Sequence, residues 1–422
     1  MSVLKKSRSS KVSTQSSNSC SANLVYMNDG IRICAEACAC CWDKPIPDSY
    51  EDKVTYLGKR SKMGHTSVLE HSNIVILLKL PFINKLNTYD TISMLDLLSA
   101  CKYLNIRYNV DKDDGYILIG GSYRAFDSMY KLSKDPLNNK YIKSISSVLY
   151  DNTNSEIFYD LTRDNILIED YFLNVVPDPL LRYFNPISDT PLYETDKIKV
   201  ISADNIDIIK ENIKILTGID NLFTTKDIEQ VCGLTILFKN MSRTATHQLV
   251  RHRNAITQES QRYVDYSSAA FANPYEFKPD KYDSNKVYDI EFGNTKYHMT
   301  SNAIGNSIIN IYQNMLKEGM LKEDARAFLP SNVKCRKLYM TFTYASFNKF
   351  LELRTSPSAQ AEIRSFALDC LDASKKIIVP LEQAVKDLDS SVDEIMSDKE
   401  VILENIINNS EDFKENIVKE NN

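Results

Sequence analysis

The apolar run Ile74-Val75-Ile76-Leu77-Leu78, followed by Lys79 and Leu80, is rich in β-branched residues and predicts a buried strand. Leu234-Thr235-Ile236-Leu237-Phe238 predicts a second strand, and Leu24-Val25-Tyr26 a third. After Leu24-Val25-Tyr26, the turn signal Asn28-Asp29-Gly30 leads into a helical run rich in Ala and Cys. That helix stops before Pro45 and Pro47, and another is expected over Tyr50–Met63. Ile304, Ile308, Ile311 and Met315 recur at helical spacing and predict a helix over Ser301–Leu321. Further helices are expected over Ser346–Arg354 and from Ala359 to about Ile378, while Val287–Phe292 alternates like a strand.

Between Pro81 and Val231 the pattern changes. Thr91–Tyr103 reads as a helix and NVDKDDGYILIGGSYRAF as a hairpin, and the segments that follow are broken by Pro177, Pro179, Pro186 and Pro191. Gly120-Gly121-Ser122 lacks the spacing of a phosphate loop and predicts a tight turn. Residues 1–22 are Ser-rich and basic, the composition of a disordered tail. Residues 387–422 form an acidic tail in which scattered apolar positions also allow an amphipathic appendage.

A chain of 422 residues accommodates two or three domains, or one with a large insertion. The net charge of -5 argues against a general nucleic-acid binder, so any anion site must be local. No apolar run reaches the length of a membrane span, and no signal-peptide core opens the chain; no membrane association and a cytoplasmic location are the expectations. Cys34, Cys38, Cys40 and Cys41 do not follow a zinc spacing, so no metal is expected, and they read as small residues for helix packing.

Ser242 to Tyr266, SRTATHQLVRHRNAITQESQRYVDY, holds the densest polar chemistry. Arg243–Val250 reads as a helix with Ser242 as N-cap and Ala245, Leu249 and Val250 on an apolar face. The cations beyond it suit a helix C-terminus, where the dipole favours positive charge. They also provide forks of the kind that grip a phosphate and a base edge. From the residues alone, a basic capping face and an anion site both stand.

RHRNAITQESQRY, the preceding SRTATHQLV, GHTSVLEH, EDARAFLP and LELRTSPSAQAEIR together resemble, in order, the motifs of the flavin-dependent thymidylate synthases. The resemblance covers about residues 23–81 and 231–386 and leaves 82–230 as an insertion without an assigned role. It implies an α/β (α+β) fold, a mixed β-sheet flanked by helices with an inserted subdomain, assembled as a homotetramer with active sites between subunits. It also implies reductive methylation of dUMP to dTMP, with methylenetetrahydrofolate as carbon donor and NADPH-reduced FAD as hydride source. A relative that binds dUMP without productive flavin chemistry is the alternative.

By the same resemblance, Gln248, Leu249, Val250, Arg251, Gln258, Glu259 (through its main chain), Ser260, Gln261, Arg262 and Arg326 would hold dUMP. Arg354 would favour ionisation of the uracil imide, and His65 would stand near the flavin ring. Ser67, Arg251, His252, Arg253, Gln258 and Lys349 would hold FAD. The chain departs from the family pattern in four places, one of them Lys349, which stands where a flavin-contacting Asn or His is common. The spacer between Arg253 and Ser260 has six residues instead of seven, Thr343-Tyr344-Ala345 replaces Asn-x-Arg, and Trp42 ends a motif that lacks its usual arginine.

Overall fold

A computed structural model describes residues 21–81, 103–111, 114–132 and 192–377, with the single positions 98, 101 and 145. The two expected tails lie outside these residues, apart from Ser21 and Ala22, which begin the first strand. The predicted helix over Thr91–Tyr103 and the proline-broken segments up to Pro191 lie outside them almost entirely.

The first sheet has the order β1-β2-β4-β3. Its strands are β1 (Ser21–Met27), β2 (Ile74–Pro81), β3 (Asn105–Asp111) and β4 (Asp114–Gly121). β2 is paired on both edges and buried on both faces, which is why it reads as an unbroken apolar run. Val75 and Leu77 face the main core, while Ile74, Ile76, Leu78 and Leu80 face a second one. The second sheet has the order β5-β6-β7-β11-β8. It contains β5 (Tyr193–Glu194), β6 (Ile198–Ala203), β7 (Gly233–Ser242), β8 (Ala255–Gln258) and β11 (Lys334–Thr343). β9 (Val287–Phe292) and β10 (Thr295–Thr300) form a separate hairpin. Every pairing among the described strands is antiparallel, so the sheets are not mixed in direction. Helices flank them, as an α+β fold requires.

Two sections of the stretch expected to be an insertion are built into these sheets instead of standing apart. β3 and β4 extend the first sheet, and β6 pairs with β7 in the second. Ile206, Ile209 and Ile213 of a helix over Ile206–Thr217 enter the main core beside Phe238 and Met340. The tight turn expected at Gly120-Gly121 is absent: both glycines end β4. A Cβ at Gly120 would lie 2.4 Å from the Val231 carbonyl oxygen, so close packing requires this glycine.

α1 (Gly30–Trp42) lies between the two sheets. Cys34 and Cys38 pack towards the first, and Ile33, Ala37 and Cys40 pack against Leu237 and Tyr339 of the second. Its small residues permit that close approach on both sides. The cysteines of the described residues are all free thiols. α2 (Tyr50–Lys62) follows, and Gly64, at φ +85°, leads into a 3-10 turn over Thr66–His71. α3 (Arg243–Leu249) follows β7 directly. The carboxy-terminal helices are α4 (Ser301–Lys317), α5 (Tyr344–Thr355) and α6 (Ala361–Ile377). Among the described residues no helix is long and apolar enough to cross a membrane.

Candidate active site

α3 begins as its sequence predicts, with the Ser242 hydroxyl accepting from the Ala245 N–H at 3.1 Å. Ala245 and Leu249 point into the main core and are fully buried. The helix's apolar stripe turns the Leu249 side chain into that core. Val250, Arg251 and His252 continue as a 3-10 turn that ends at Arg253 in the left-handed region. Val250 and Arg251 are exposed, while Gln248 and His252 are half-buried.

Arg354, in the last turn of α5, reaches this turn. Its Nε donates to His252 Nε2 at 3.0 Å and its Nη1 to Gln248 Oε1 at 3.5 Å. Two distant motifs thus meet at one guanidinium. His252 also packs edge-on against Phe350 at 5.3 Å. Burial, reinforced by the cations Arg354 and Arg251, pushes the His252 pKa down to about 4. At neutral pH the imidazole is uncharged with Nε2 as acceptor, which fixes the proton on Nδ1.

β8 lies at the edge of the second sheet, Leu338 opposite Gln258 and Thr341 opposite Ala255. Four of the six spacer residues are therefore strand, which accounts for the short connection. Beyond β8 the chain enters the wall of a cavity of about 290 Å³. Gln258, Glu259, Ser260 and Gln261 line it together with His65, Ser67 and Arg326. His65 stands edge-on to Trp42 at 5.0 Å, and Trp42 stacks on Tyr263 at 5.6 Å. His71, the other histidine of GHTSVLEH, is a core residue. Its ring nitrogens lie 2.9 Å from the Thr341 and Thr257 hydroxyls, and burial lowers its pKa to about 3.

Glu259 is only 2% exposed, and its carboxylate is committed within the protein. Its carboxylate accepts from the Arg336 backbone N–H at 2.9 Å and from Arg336 Nε at 2.7 Å. Its own N–H donates to the Lys337 carbonyl at 3.1 Å. Replacing Arg336 with alanine would leave a buried carboxylate without its cation. The expected cost is about 2 kcal/mol in urea unfolding, below that of a fully buried pair because Arg336 is itself half exposed. An unchanged unfolding midpoint would contradict this arrangement.

Ser260 donates its N–H to the Cys41 carbonyl at 3.1 Å, and its hydroxyl oxygen accepts from the Arg262 N–H at 3.2 Å. Arg262 pairs with Glu323 at 3.0 Å, and Arg326 Nε donates to the Glu323 carbonyl at 3.1 Å. The QESQRY and EDARAFLP blocks are joined through Glu323, with both guanidiniums exposed. Two buried polar atoms of residues lining this cavity have no partner: Gln258 Oε1 and Arg243 Nε.

A larger cavity of about 540 Å³ borders the Arg-His-Arg turn. His252, Arg253 and Asn254 line it, opposite Asn73, Asp204 and Ser346. Asp204 Oδ1 is buried without a hydrogen-bond partner. Thr343 and Ala345 also border this cavity. The expected flavin residues divide accordingly, Ser67 and Gln258 on the smaller cavity and His252 and Arg253 on the larger. Arg251 lines neither, nor does Lys349, which is exposed and paired with Glu352 at 2.8 Å. Among the described residues no cluster of His, Cys, Asp or Glu is disposed to hold a metal ion.

Three of these residues have no role assigned from the sequence: Arg243, Trp42 as a cavity wall, and Arg336. The signal for Arg243 is its register, since it shares the buried side of α3 with Thr246 and Leu249.

Residues 221–380 match the family model described as thymidylate synthase complementing protein. The chain is 30% identical over 189 residues to a flavin-dependent thymidylate synthase of Pyrococcus abyssi, covering 44% of this chain and 68% of that one. Against the enzyme of the same name from Pyrococcus furiosus it is 33% identical over 147 residues, 34% of this chain and 54% of the relative. Against that of Corynebacterium efficiens it is 30% identical over 144 residues, 34% of this chain and 57% of the relative. It thus spans little more than half of the last two.

Proposed function

The chain belongs to the flavin-dependent thymidylate synthase family, and from that premise we propose that it converts dUMP to dTMP by reductive methylation. Methylenetetrahydrofolate is the carbon donor, and FAD reduced by NADPH is the hydride source. The observation that carries the proposal is the convergence of His65, Ser67, Gln258, Ser260 and Arg326, from three separate stretches, on one cavity that also has unpartnered buried polar atoms in its wall. Orphaned donors and acceptors of this kind fit polar ligands.

Ser260, Gln261, Arg262 and Arg326 hold the nucleotide on one side, and Gln248, Val250 and Arg251 on the other. Arg354 faces the imide edge of the uracil. Negative charge developing there is stabilised by a guanidinium whose position is already fixed. His252 does the fixing: because burial keeps it neutral, it accepts from Arg354 instead of repelling it. A bound flavin supplies the hydride, and His252, Arg253, Gln258 and Ser67 are the residues placed to hold it. His65 borders the nucleotide cavity at Trp42. A homotetramer whose subunits share each site belongs to the same proposal, with Arg251, Arg262 and Lys349 exposed on this chain.

Purified protein is expected to be yellow and to oxidise NADPH only with dUMP and methylenetetrahydrofolate present, giving dTMP. A colourless protein that binds dUMP but no FAD would sink the proposal in favour of a nucleotide-binding relative without flavin chemistry.

A further inference from the structure

Arg243 occupies the first position of α3, yet its side chain is 9% exposed and lines the 290 Å³ cavity. Nη2 donates to the Glu259 carbonyl at 2.5 Å and to the Tyr266 hydroxyl at 2.9 Å. Those two bonds fix the plane of the guanidinium. The Nε–H is buried and has no acceptor. Among the described residues no carboxylate forms an ion pair with Arg243, since Glu259, the one acidic residue lining the cavity, is held by Arg336.

A buried cation without a counter-ion is costly, and a buried N–H without an acceptor adds to that cost. Arg336 and Arg243 together are balanced by Glu259 and Asp43, and Arg326 leaves one net positive charge on the same wall. The cavity therefore selects for an oxyanion. The unpartnered Gln258 Oε1 would be repelled by a bare anion. It needs a hydroxyl or an imide N–H instead, so a phosphate attached to a group with such a donor satisfies both orphans, where inorganic phosphate satisfies one.

We propose that Arg243 is a phosphate-binding residue of this site, its Nε–H holding an oxygen of the nucleotide's phosphate monoester alongside Ser260 and Arg326. The inference rests on the nucleotide reading above and adds a buried anchor to the exposed cations that the sequence motifs supply.

Trp42 is the chain's only tryptophan and lines the cavity, so its fluorescence reports occupancy. The full chain is titrated with dUMP and with deoxyuridine, which lacks the phosphate. Arg243→Gln is expected to weaken dUMP about tenfold to a hundredfold, as for loss of a buried charge-assisted hydrogen bond, and to leave deoxyuridine unchanged. Tyr266→Phe removes one Arg243 partner but not the Nε–H, and should hold dUMP affinity within about twofold. Equal weakening of both ligands, or no weakening of dUMP, overturns the inference. If Arg243→Gln fails to fold, Arg243→Lys carries the same comparison, because a lysine keeps the charge without the directed Nε–H. Wild-type protein that binds neither ligand defeats the nucleotide reading itself, an outcome distinct from a failure confined to the variants.

Discussion

Arg354→Ala should cut dTMP formation about a hundredfold to a thousandfold while flavin remains bound, the loss typical when one preorganised donor to a developing anion is removed. The expectation follows from how Arg354 is held. Its Nε is anchored on His252 and its Nη1 on Gln248, and burial together with nearby Arg251 lowers its pKa without discharging it. A guanidinium next to another cation, with no carboxylate partner among the described residues, is available to a substrate. Arg354→Lys should not restore turnover, because an ammonium cannot contact His252 and a planar imide edge together. Steady-state dTMP formation, read beside flavin absorbance, tests this. Turnover near wild type in either variant would remove Arg354 from the chemistry.

His252 is the partner of that prediction. Replacing it leaves the Arg354 charge in place but removes its anchor, so it acts as a positioning residue. The Arg-His-Arg motif marks it as a ligand contact, whereas the structure also gives it the task of orienting a residue 102 positions away. Local pattern does not reveal contacts of that range.

The same limit divides the legible from the illegible elsewhere. β2, β7 and helices such as α4 were readable because burial on both faces leaves an unbroken apolar run and burial on one side leaves a stripe at helical spacing, whereas the helix over Ile206–Thr217 was not read. The Ser242 cap was readable because capping is local. Gly120-Gly121 was misread because a glycine that admits a neighbouring backbone looks like a glycine that turns. β10 was missed because Thr295–Thr300 runs directly into α4, and its partner strand is needed to see it. Family motifs nominated candidate site residues, but motif order carries no information about which cavity each one lines. Nor does it show that the Glu259 N–H is taken by Lys337 and that Leu249 faces inward.

Two buried groups near the cavities set opposing responses to acid. Among the described residues His71 has no charged partner, and burial lowers its pKa from 6.5 to about 3. Between those values the unfolded chain binds the proton and the folded chain does not, so this group removes stability as pH falls. Asp204 is raised from 3.8 to about 7, chiefly by burial, despite the Gly233 and Asn73 donors. Here the folded chain binds the proton first, so stability grows as pH falls through the same window. At about 1.4 kcal/mol per pKa unit, each contributes roughly 3 kcal/mol between pH 6.5 and 4, with opposite sign. From this pair the wild type should show a nearly flat profile, tilted towards acid loss by half-buried His252. His71→Gln should break the balance. It loses stability at neutral pH along with the Thr257 and Thr341 hydrogen bonds, then gains on the wild type by roughly 3 kcal/mol as pH drops to 4. Asp204→Asn should do the reverse and lose stability steadily over that range. Urea unfolding of the three proteins at intervals from pH 7 to pH 4 measures both slopes. Parallel curves for His71→Gln and wild type would mean that His71 is not held neutral in the fold.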